Sequence, residues 1–285
     1  MSAYPRLVKY KNKHILNFDQ VFEETATLGS GAFGIVVKVV DVLSGKPYAL
    51  KKIKDYTQET LKEIEILKIL SSKLDDVVKY YDYFFYQDNL CILMEFIPGK
   101  NASKWFLENS FNIRDFMTFA LWLTDIFTRL HQMNYIHQDL KPHNIMVVSK
   151  GKYKLIDFDL SCHVGYPRNL VQCDDRPGGT PTFVAPEIYS GLFKQDLTFF
   201  YKSNDMYALG TSLYFILTRE SPYKMFDGKI TSTKYIPFYI NTINKKANDM
   251  LNNIINNMVL IDPYNRLTAK QANEALREYR EMTGY

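Results

Sequence analysis

The sequence has few cysteines, and it lacks both a long apolar run and a signal-peptide pattern. Its three cysteines, Cys91, Cys162 and Cys173, form no CxxC pair, which argues against a disulfide scaffold or structural zinc site and suits a reducing compartment. The nearest membrane-span candidate, residues 206–218, is shorter than the roughly 20 apolar residues that a span needs. We therefore expect an intracellular protein, in the cytoplasm or nucleus, without a membrane segment.

Positively and negatively charged residues are nearly equal in number. The chain of 285 residues has 35 Lys and Arg against 31 Asp and Glu, a net charge of +4. Four of the basic residues and no acidic one lie in residues 1–14, so the rest of the chain is neutral. Residues 1–21 are predicted to form a basic arm, either a solvated tail or a weak contact for an acidic surface or nucleic acid. The oligomeric state is not encoded in this pattern.

A β-rich region precedes a helical one. The predicted elements of the first region are a glycine-tipped antiparallel meander from Val21 to Lys54, an amphipathic helix at 57–71 and two strands within 78–97. Long helical stretches follow the break at Pro98-Gly99. The pattern predicts an α+β protein with domains at 22–97 and 98–285, and a cleft between them where small molecules bind.

The first candidate motif is a glycine loop. Gly29, Gly31 and Gly34 form a G-x-G-x-x-G pattern within residues 28–36. A dinucleotide-binding turn would be followed by a helix, whereas strand sequence follows here, so the glycines are predicted at a hairpin tip. A loop without Cβ atoms can bring its N–H groups close to phosphate oxygens. A plain structural turn is the alternative that this motif alone leaves open.

A lysine and a carboxylate form the second candidate feature. Lys51 lies on the strand predicted to pair with the glycine hairpin, and Glu63 lies on the following helix. A lysine that reaches the α- and β-phosphates of a nucleotide can be held by such a carboxylate. Glu65 is the competing partner, and most Lys/Glu pairs are only surface charges.

Further motifs follow in a fixed order along the chain. They are HQDLKPHN at 137–144, DFD at 157–159, APE at 185–187 and DPYNR at 262–266. With the glycine loop and YALK at 48–51, they make residues 22–280 resemble a eukaryotic-type protein kinase of the serine/threonine class. The resemblance implies a bilobal α+β fold with a small β-rich N-lobe, which has one helix, and a larger, mostly helical C-lobe. It also implies transfer of the γ-phosphoryl group of ATP, with Mg²⁺ or alternatively Mn²⁺, to a protein hydroxyl.

The resemblance assigns a role to each matching residue. Asp139 would accept or orient the proton of the substrate hydroxyl, and Lys141 would lie against the γ-phosphate. Asn144 and Asp157 would hold Mg²⁺, which prefers hard oxygen ligands. Thr180 would brace Asp139 and Lys141, as in the serine/threonine class. The implied catalytic set is Asp139, Lys141, Lys51, Glu63, Asn144, Asp157 and Thr180.

The implied ATP site is an apolar slot for adenine beside the glycine loop. Met94 would form its back wall, and the backbone of Glu95 and Ile97 would hydrogen-bond the base. The implied binding residues are Leu28, Gly29, Ser30, Gly31, Ala32, Phe33, Gly34, Val36, Ala49, Lys51, Met94, Glu95, Ile97 and Met146. Without the resemblance, each apolar residue of this set is typical of an ordinary core.

Two departures from the family pattern bear on control. Gln138 stands where relatives have the arginine that contacts a phosphate of the activation segment, here residues 157–187, and Arg176 stands in place of the phosphorylated threonine. An uncharged amide cannot replace a guanidinium, so we expect activity without phosphorylation of this segment. Asp159 replaces the glycine of Asp-Phe-Gly, which predicts a cost of about 1 kcal/mol in backbone states that favour glycine and hindered flipping of Asp157.

Other functions and partners stay open. A pseudokinase acting as a nucleotide-binding scaffold would need a broken catalytic residue, and a small-molecule kinase is disfavoured by Thr180 and the APE motif. The substrate is expected to be a protein with a serine or threonine acceptor, and Asp174 and Asp175 leave a basic substrate open. The irregular motifs also resemble kinases of large DNA viruses, of the baculovirus type, which would place the protein in a host cell.

Overall fold

The computed structural model describes residues 8–10, 13–15, 18–31, 34–165, 173, 178–190, 197–226 and 229–285. The chain divides into two compact units, Met1–Pro98 and Gly99–Tyr285. Several residues with predicted roles lie outside the described residues, namely Ala32, Phe33, Asp174, Asp175 and Arg176.

Strands dominate the first unit. Its described elements are β1 (Val8–Tyr10), β2 (Lys13–Ile15), α1 (Phe18–Val21), β3 (Phe22–Gly31), β4 (Gly34–Asp41), β5 (Pro47–Ile53), α2 (Gln58–Lys73), β6 (Tyr80–Tyr86) and β7 (Asn89–Glu95). Within the described residues the strands form one sheet in the order β1-β2-β6-β7-β5-β4-β3. The pairs β3–β4 and β4–β5 are antiparallel, which confirms the predicted meander.

The sheet packs one face against an apolar cluster. Alternate residues of β4, β5 and β7 supply Val37, Leu50 and Leu93 to this cluster, where they meet Phe22 and Phe84. Residues with the opposite parity along the same strands point to the other face, because side chains alternate along a strand. This division decides which side chains of the first unit can serve a ligand.

Helices dominate the second unit. Its described elements are β8 (Lys100–Asn101), α3 (Ala102–Glu108), α4 (Ile113–Gln132), β9 (Tyr135–Ile136), β10 (Ile145–Ser149), β11 (Lys152–Leu155), β12 (Cys162–His163), α5 (Pro186–Ser190), α6 (Leu197–Thr218), β13 (Met225–Phe226), β14 (Lys229–Ile230), α7 (Lys245–Met258) and α8 (Ala269–Thr283). A Cβ atom at Gly210 of α6 would lie 2.6 Å from Val259, so a glycine is needed where α6 approaches the end of α7. Among the helices described, none is both long and apolar enough to cross a membrane.

Short strand pairs fix the loops that carry the family motifs. Strand β9 pairs with β12, with Ile136 opposite Cys162. Strand β10 pairs with β11, with Ile145 opposite Leu155. Residues 137–144 therefore run from β9 to β10, and residues 156–161 run from β11 to β12. The two strand pairs hold both ends of each loop, so these segments lie side by side.

Candidate active site

Asp139 is the centre of a hydrogen-bond network in the second unit. Its Oδ1 accepts from the backbone N–H of Thr180 at 2.9 Å and from Oγ1 of Thr180 at 2.7 Å. Its Oδ2 accepts from Nζ of Lys141 at 2.6 Å, and that Nζ also donates to Oγ1 of Thr180 at 2.8 Å. The side-chain amide of Asn144 donates to the carbonyl oxygen of Asp139 at 2.9 Å. The structure thus brings together four of the residues that the sequence assigned to catalysis.

The network keeps the Asp139 carboxylate charged. Burial by itself would raise the pKa of Asp139, but the hydrogen bonds from Lys141 and Thr180 outweigh it, and the pKa lies below its usual value. The side chain is 14% exposed, so an incoming hydroxyl group can reach it. A charged, partly open carboxylate fixed by several donors is suited to orienting a hydroxyl nucleophile.

Asn144 and Asp157 are placed by neighbouring backbone. The N–H of Ile156 donates to the carbonyl oxygen of Asn144 at 2.9 Å, directly before Asp157. Asp157 is exposed and has a left-handed backbone with φ of 65°. One carboxylate and one amide oxygen form a donor set that Mg²⁺ accepts.

The backbone before Asp139 is held by a buried acceptor. Asp205 of α6, which is fully buried, accepts from the N–H of His137 at 3.0 Å and from the N–H of Gln138 at 2.9 Å. His131 of α4 lies 3.0 Å from the same carboxylate. Asp205 therefore fixes the main chain of Gln138 in the left-handed conformation, with φ of 64°, that leads into Asp139.

A second buried ion pair anchors the end of the activation segment. Arg266 donates through both terminal nitrogens to Glu187, with Nη2 at 2.7 Å from Oε2. Nε of Arg266 also donates to the carbonyl oxygen of Leu260 at 2.6 Å. Both side chains are almost fully buried, which makes this pair costly to break.

In the first unit, strand register separates Lys51 from its neighbour Lys52. Lys51 lies opposite Val36 and Ile92, on the face away from the apolar cluster. It is buried, with 8% of its surface exposed. Lys52 points the other way, and its Nζ pairs with Glu24 at 2.5 Å. Of the two lysines, Lys51 therefore has the position expected for a phosphate ligand.

The two candidate carboxylates of α2 also differ. Glu65 lies 3.3 Å from Lys68 in an exposed pair one helical turn away. Glu63 and Glu65 are both half-buried. The structure gives Glu65 a partner on its own helix, and the role of Glu63 beside Lys51 stays a prediction.

The glycines of the loop serve different purposes. Gly34 has φ of 132°, and a Cβ atom there would lie 2.2 Å from the carbonyl oxygen of Lys52, so the fold itself requires glycine. A Cβ atom at Gly29 or Gly31 would have no neighbour within 4 Å, and neither residue has a left-handed φ. The fold therefore leaves open space over these two positions, which fits the close approach of a phosphate group.

The residues predicted to surround adenine share one sheet face. Ala49 lies opposite Met94, and Lys51, two residues further along β5, lies opposite Val36. Directly opposed residues and residues two apart point to the same side, so these four residues face away from the apolar cluster. Ile97 is buried and Leu28 is exposed in the first unit, and Met146 is half-buried in the second.

Gln138 contacts a disulfide bond that the sequence analysis did not anticipate. Cys162 and Cys173 are bonded to each other, although their separation of 11 residues gives no CxxC signal. The side-chain amide of Gln138 donates to Sγ of Cys162 at 2.9 Å. The position that carries arginine in the family pattern is thus occupied by an amide that faces sulfur.

Asp159 does not need a glycine-like backbone in this conformation, and the hindered flipping of Asp157 stays a prediction. The backbone of Asp159 is not left-handed, whereas that of Asp157, two residues earlier, is. The glycine-to-aspartate departure therefore carries no left-handed backbone cost in this conformation.

Comparison with known proteins identifies the pattern. The family described as "Protein kinase domain" matches residues 22–276. Serine/threonine-protein kinase 10 of Danio rerio is 31% identical over 212 residues, which is 73% of this chain and 21% of that protein. Serine/threonine-protein kinase cds1 of Schizosaccharomyces pombe is 28% identical over 288 residues, covering 93% of this chain and 58% of that protein. The chain thus spans about a fifth to three fifths of these relatives' lengths.

A solved structure gives the same result for the fold. A crystal structure of Rad53 in complex with AMP-PNP superimposes with a TM-score of 0.70 at 23% sequence identity, covering 89% of this chain and 64% of that one. At this identity the likeness concerns the fold alone. It confirms the α+β fold that the resemblance implied.

Proposed function

This chain belongs to the protein kinase family, and we propose that the protein is a serine/threonine kinase that transfers the γ-phosphoryl group of ATP to a protein hydroxyl. The observation that carries the proposal is the Asp139 network, in which one carboxylate is held by Lys141 and Thr180. Phosphoryl transfer depends on positioning and charge neutralisation, and this network supplies both.

Each residue of the network has a separate task in this proposal. Asp139 orients the serine or threonine hydroxyl and takes its proton as the bond to phosphorus forms. Lys141, held against both Asp139 and Thr180, offers positive charge to the phosphoryl group in transfer. Thr180 fixes the orientation of the Asp139 carboxylate through two donors.

The nucleotide is proposed to bind with Mg²⁺, or Mn²⁺ in its place. Asn144 and Asp157 would hold the metal, which supplies charge neutralisation on the phosphates when bound. Lys51 would contact the α- and β-phosphates with Glu63 holding its ammonium group, and the open backbone at Gly29 and Gly31 would lie over the phosphates. Val36, Ala49 and Met94 would cover the adenine ring.

We further propose that activity does not require phosphorylation of the activation segment. Gln138 has no charge, so it cannot form the bidentate ion pair that an arginine forms with a phosphate. Support comes from the contacts of the neighbouring side chains: Lys141 and Thr180 hold the Asp139 carboxylate, and the Gln138 amide donates to Sγ of Cys162. Treatment with a phosphatase should leave turnover unchanged, and a loss of most turnover would contradict this part of the proposal.

The proposed partner is an intracellular protein with serine or threonine acceptors. Asp174 and Asp175 of the activation segment leave open a preference for basic substrate proteins. The basic segment at residues 1–14 is proposed to be at most a weak contact for nucleic acid or an acidic surface. Labelled acceptor sites in a mixture of basic and acidic proteins would reveal the preference.

The test is transfer of labelled γ-phosphate from ATP in the presence and absence of Mg²⁺. We expect serine and threonine labelling by the wild type, and at least about a hundredfold less by Asp139→Asn, as expected when a general base is removed. Asp139→Asn should still bind nucleotide, seen as a rise in melting temperature with ATP. Nucleotide binding without any transfer by the wild type would favour the nucleotide-binding scaffold instead.

A further inference from the structure

We propose that Cys162 and Cys173 are a reversible dithiol–disulfide site that controls the proposed kinase activity, with the disulfide form the more active one. The proposal rests on the proposed function for its activity readout, and on the bond between the two cysteines for its chemistry. Neither cysteine belongs to the catalytic network. They lie at β12 and at residue 173, within the activation segment.

The contacts of Gln138 connect the disulfide to the catalytic network. Its side-chain amide donates to Sγ of Cys162 at 2.9 Å. The backbone carbonyl oxygen of Gln138 would lie 2.9 Å from a Cβ atom at Gly179, whose φ is 140°. Gly179 directly precedes Thr180, which donates twice to Asp139. Gln138 therefore touches both the disulfide and the backbone that presents Thr180.

The hydrogen bonding of Gln138 depends on the oxidation state of the sulfur. A disulfide sulfur can only accept, so it meets the N–H₂ end of the amide, whereas a thiol can also donate. Oε1 of Gln138 is buried and accepts no hydrogen bond from any described residue. Reduction would create an S–H donor next to this amide and remove the covalent link to Cys173. Both changes alter the support of Gly179 and Thr180.

The geometry sets the direction of the effect. The disulfide is present in the same conformation in which Thr180, Lys141 and Asp139 are hydrogen-bonded to one another. A covalent bond that exists in this conformation restricts the alternatives open to the segment, so it favours the assembled network. Reduction should therefore lower activity.

The chemistry is thiol–disulfide exchange with a low-molecular-weight disulfide such as oxidised glutathione. One cysteine thiolate attacks the small disulfide, which forms a mixed disulfide and releases one small thiol. The second cysteine attacks the mixed disulfide at the protein sulfur, which closes the Cys162–Cys173 bond and releases the second small thiol. The two cysteines lose two electrons, the small disulfide gains them, and both protons end on the released thiols.

Burial of the cysteines predicts slow thiol–disulfide exchange, and it makes Cys91 a suitable control. Cys162 and Cys173 are 0% and 3% exposed, so exchange requires a local opening of the segment. Cys91, the remaining cysteine, is buried in the first unit, and burial raises the pKa of its thiol to about 11. It is therefore protonated at neutral pH and should not compete in the exchange.

The experiment equilibrates the whole chain in reduced and oxidised glutathione mixtures, then traps thiols with an alkylating reagent after denaturation. We expect one free thiol at the oxidised end and three at the reduced end, with kcat/KM falling at least about fivefold on reduction, at the same midpoint. The response should persist in Cys91→Ala and vanish in both Cys162→Ser and Cys173→Ser.

Distinct results would overturn the proposal. Three free thiols in every mixture would show that the bond does not form, whether or not the chain is a kinase. A bond that forms without changing kcat/KM would remove the regulatory role, and a bond that lowers kcat/KM would overturn the claim that the disulfide form is the more active one. If the thiol counts followed the glutathione mixtures but neither redox form transferred phosphate, the proposed function would fail. An equal melting temperature of the two redox forms would in that case overturn the claim that the bond favours the assembled conformation.

Discussion

Lys51 and Lys52 are consecutive residues of β5 that lie on opposite faces of one sheet. We expect Lys51→Met to lower kcat/KM by roughly 10²–10³-fold, because one preorganised cation would be lost from the phosphates. Lys52→Met is the matched control. It removes a partly exposed pair with Glu24, worth at most about 1 kcal/mol, and a cation–π contact with Phe18, and it should leave kcat/KM within about threefold. Equal losses in steady-state assays of both variants would contradict the assignment.

The glycine loop offers a separation between folding and binding. Gly34→Ala should lower the free energy of unfolding by about 2 kcal/mol or more, because the Cβ atom meets the carbonyl oxygen of Lys52 and the backbone is left-handed. Gly31→Ala should leave the melting temperature nearly unchanged and weaken ATP binding roughly tenfold, about 1.4 kcal/mol. Urea denaturation and calorimetric titration measure the two effects. A Gly31→Ala variant with normal ATP affinity would point to a purely structural turn.

Thr180 is predicted to act by positioning Asp139. Thr180→Val removes the hydroxyl that donates to the carboxylate, and kcat should fall about 10–100-fold, since a hydrogen bond to a charged group contributes about 1.5–3 kcal/mol. Thr180→Ser keeps the donor and should stay within about threefold of the wild type. Thr180→Val should also raise the pKa of Asp139, whereas a merely structural role of Thr180 would leave that pKa unchanged. An equal loss in the serine variant would argue against the hydroxyl as the relevant group.

The lowered pKa of Asp139 predicts a pH dependence of stability. Because the folded-state pKa lies below the unfolded value near 3.9, the ionised network stabilises the fold above that value and loses this contribution as pH falls through the folded pKa. The difference in unfolding free energy between wild type and Asp139→Asn should therefore be larger at pH 6 than at pH 2.5. Denaturant titrations at several pH values measure it. A difference independent of pH would mean that the Asp139 charge does not stabilise the fold.

Local patterns accounted for much of the fold. Alternation along β4 and the helical spacing of residues 57–71 reflect side-chain burial within one element, so the sequence displays them directly. The loop motif at 137–144 likewise kept Asp139, Lys141 and Asn144 within a few residues of each other. Thr180 lies 41 residues from Asp139 in the sequence, and no local spacing predicts the contact between them. Only the family resemblance included Thr180 in the predicted site.

Other features could not be predicted because they depend on distant backbone. The bond between Cys162 and Cys173 requires that residue 173 return to β12, and no local signal encodes that return. The left-handed backbone of Asp157 likewise arises from its surroundings and not from a glycine. Residues 252–258 are rich in asparagine and match no motif, yet Asn252 donates to the carbonyl oxygen of Phe238 at 2.9 Å and accepts from its N–H at 3.0 Å.

The pairing of β9 with β12 has a consequence for evolution of the chain. Each strand is two residues long, with Ile136 opposite Cys162 and Tyr135 opposite His163. A slip by one residue would turn every side chain of β12 to the other side, so Sγ of Cys162 would leave Gln138. Single-residue insertions or deletions between Asp157 and Cys162 should therefore be eliminated by selection.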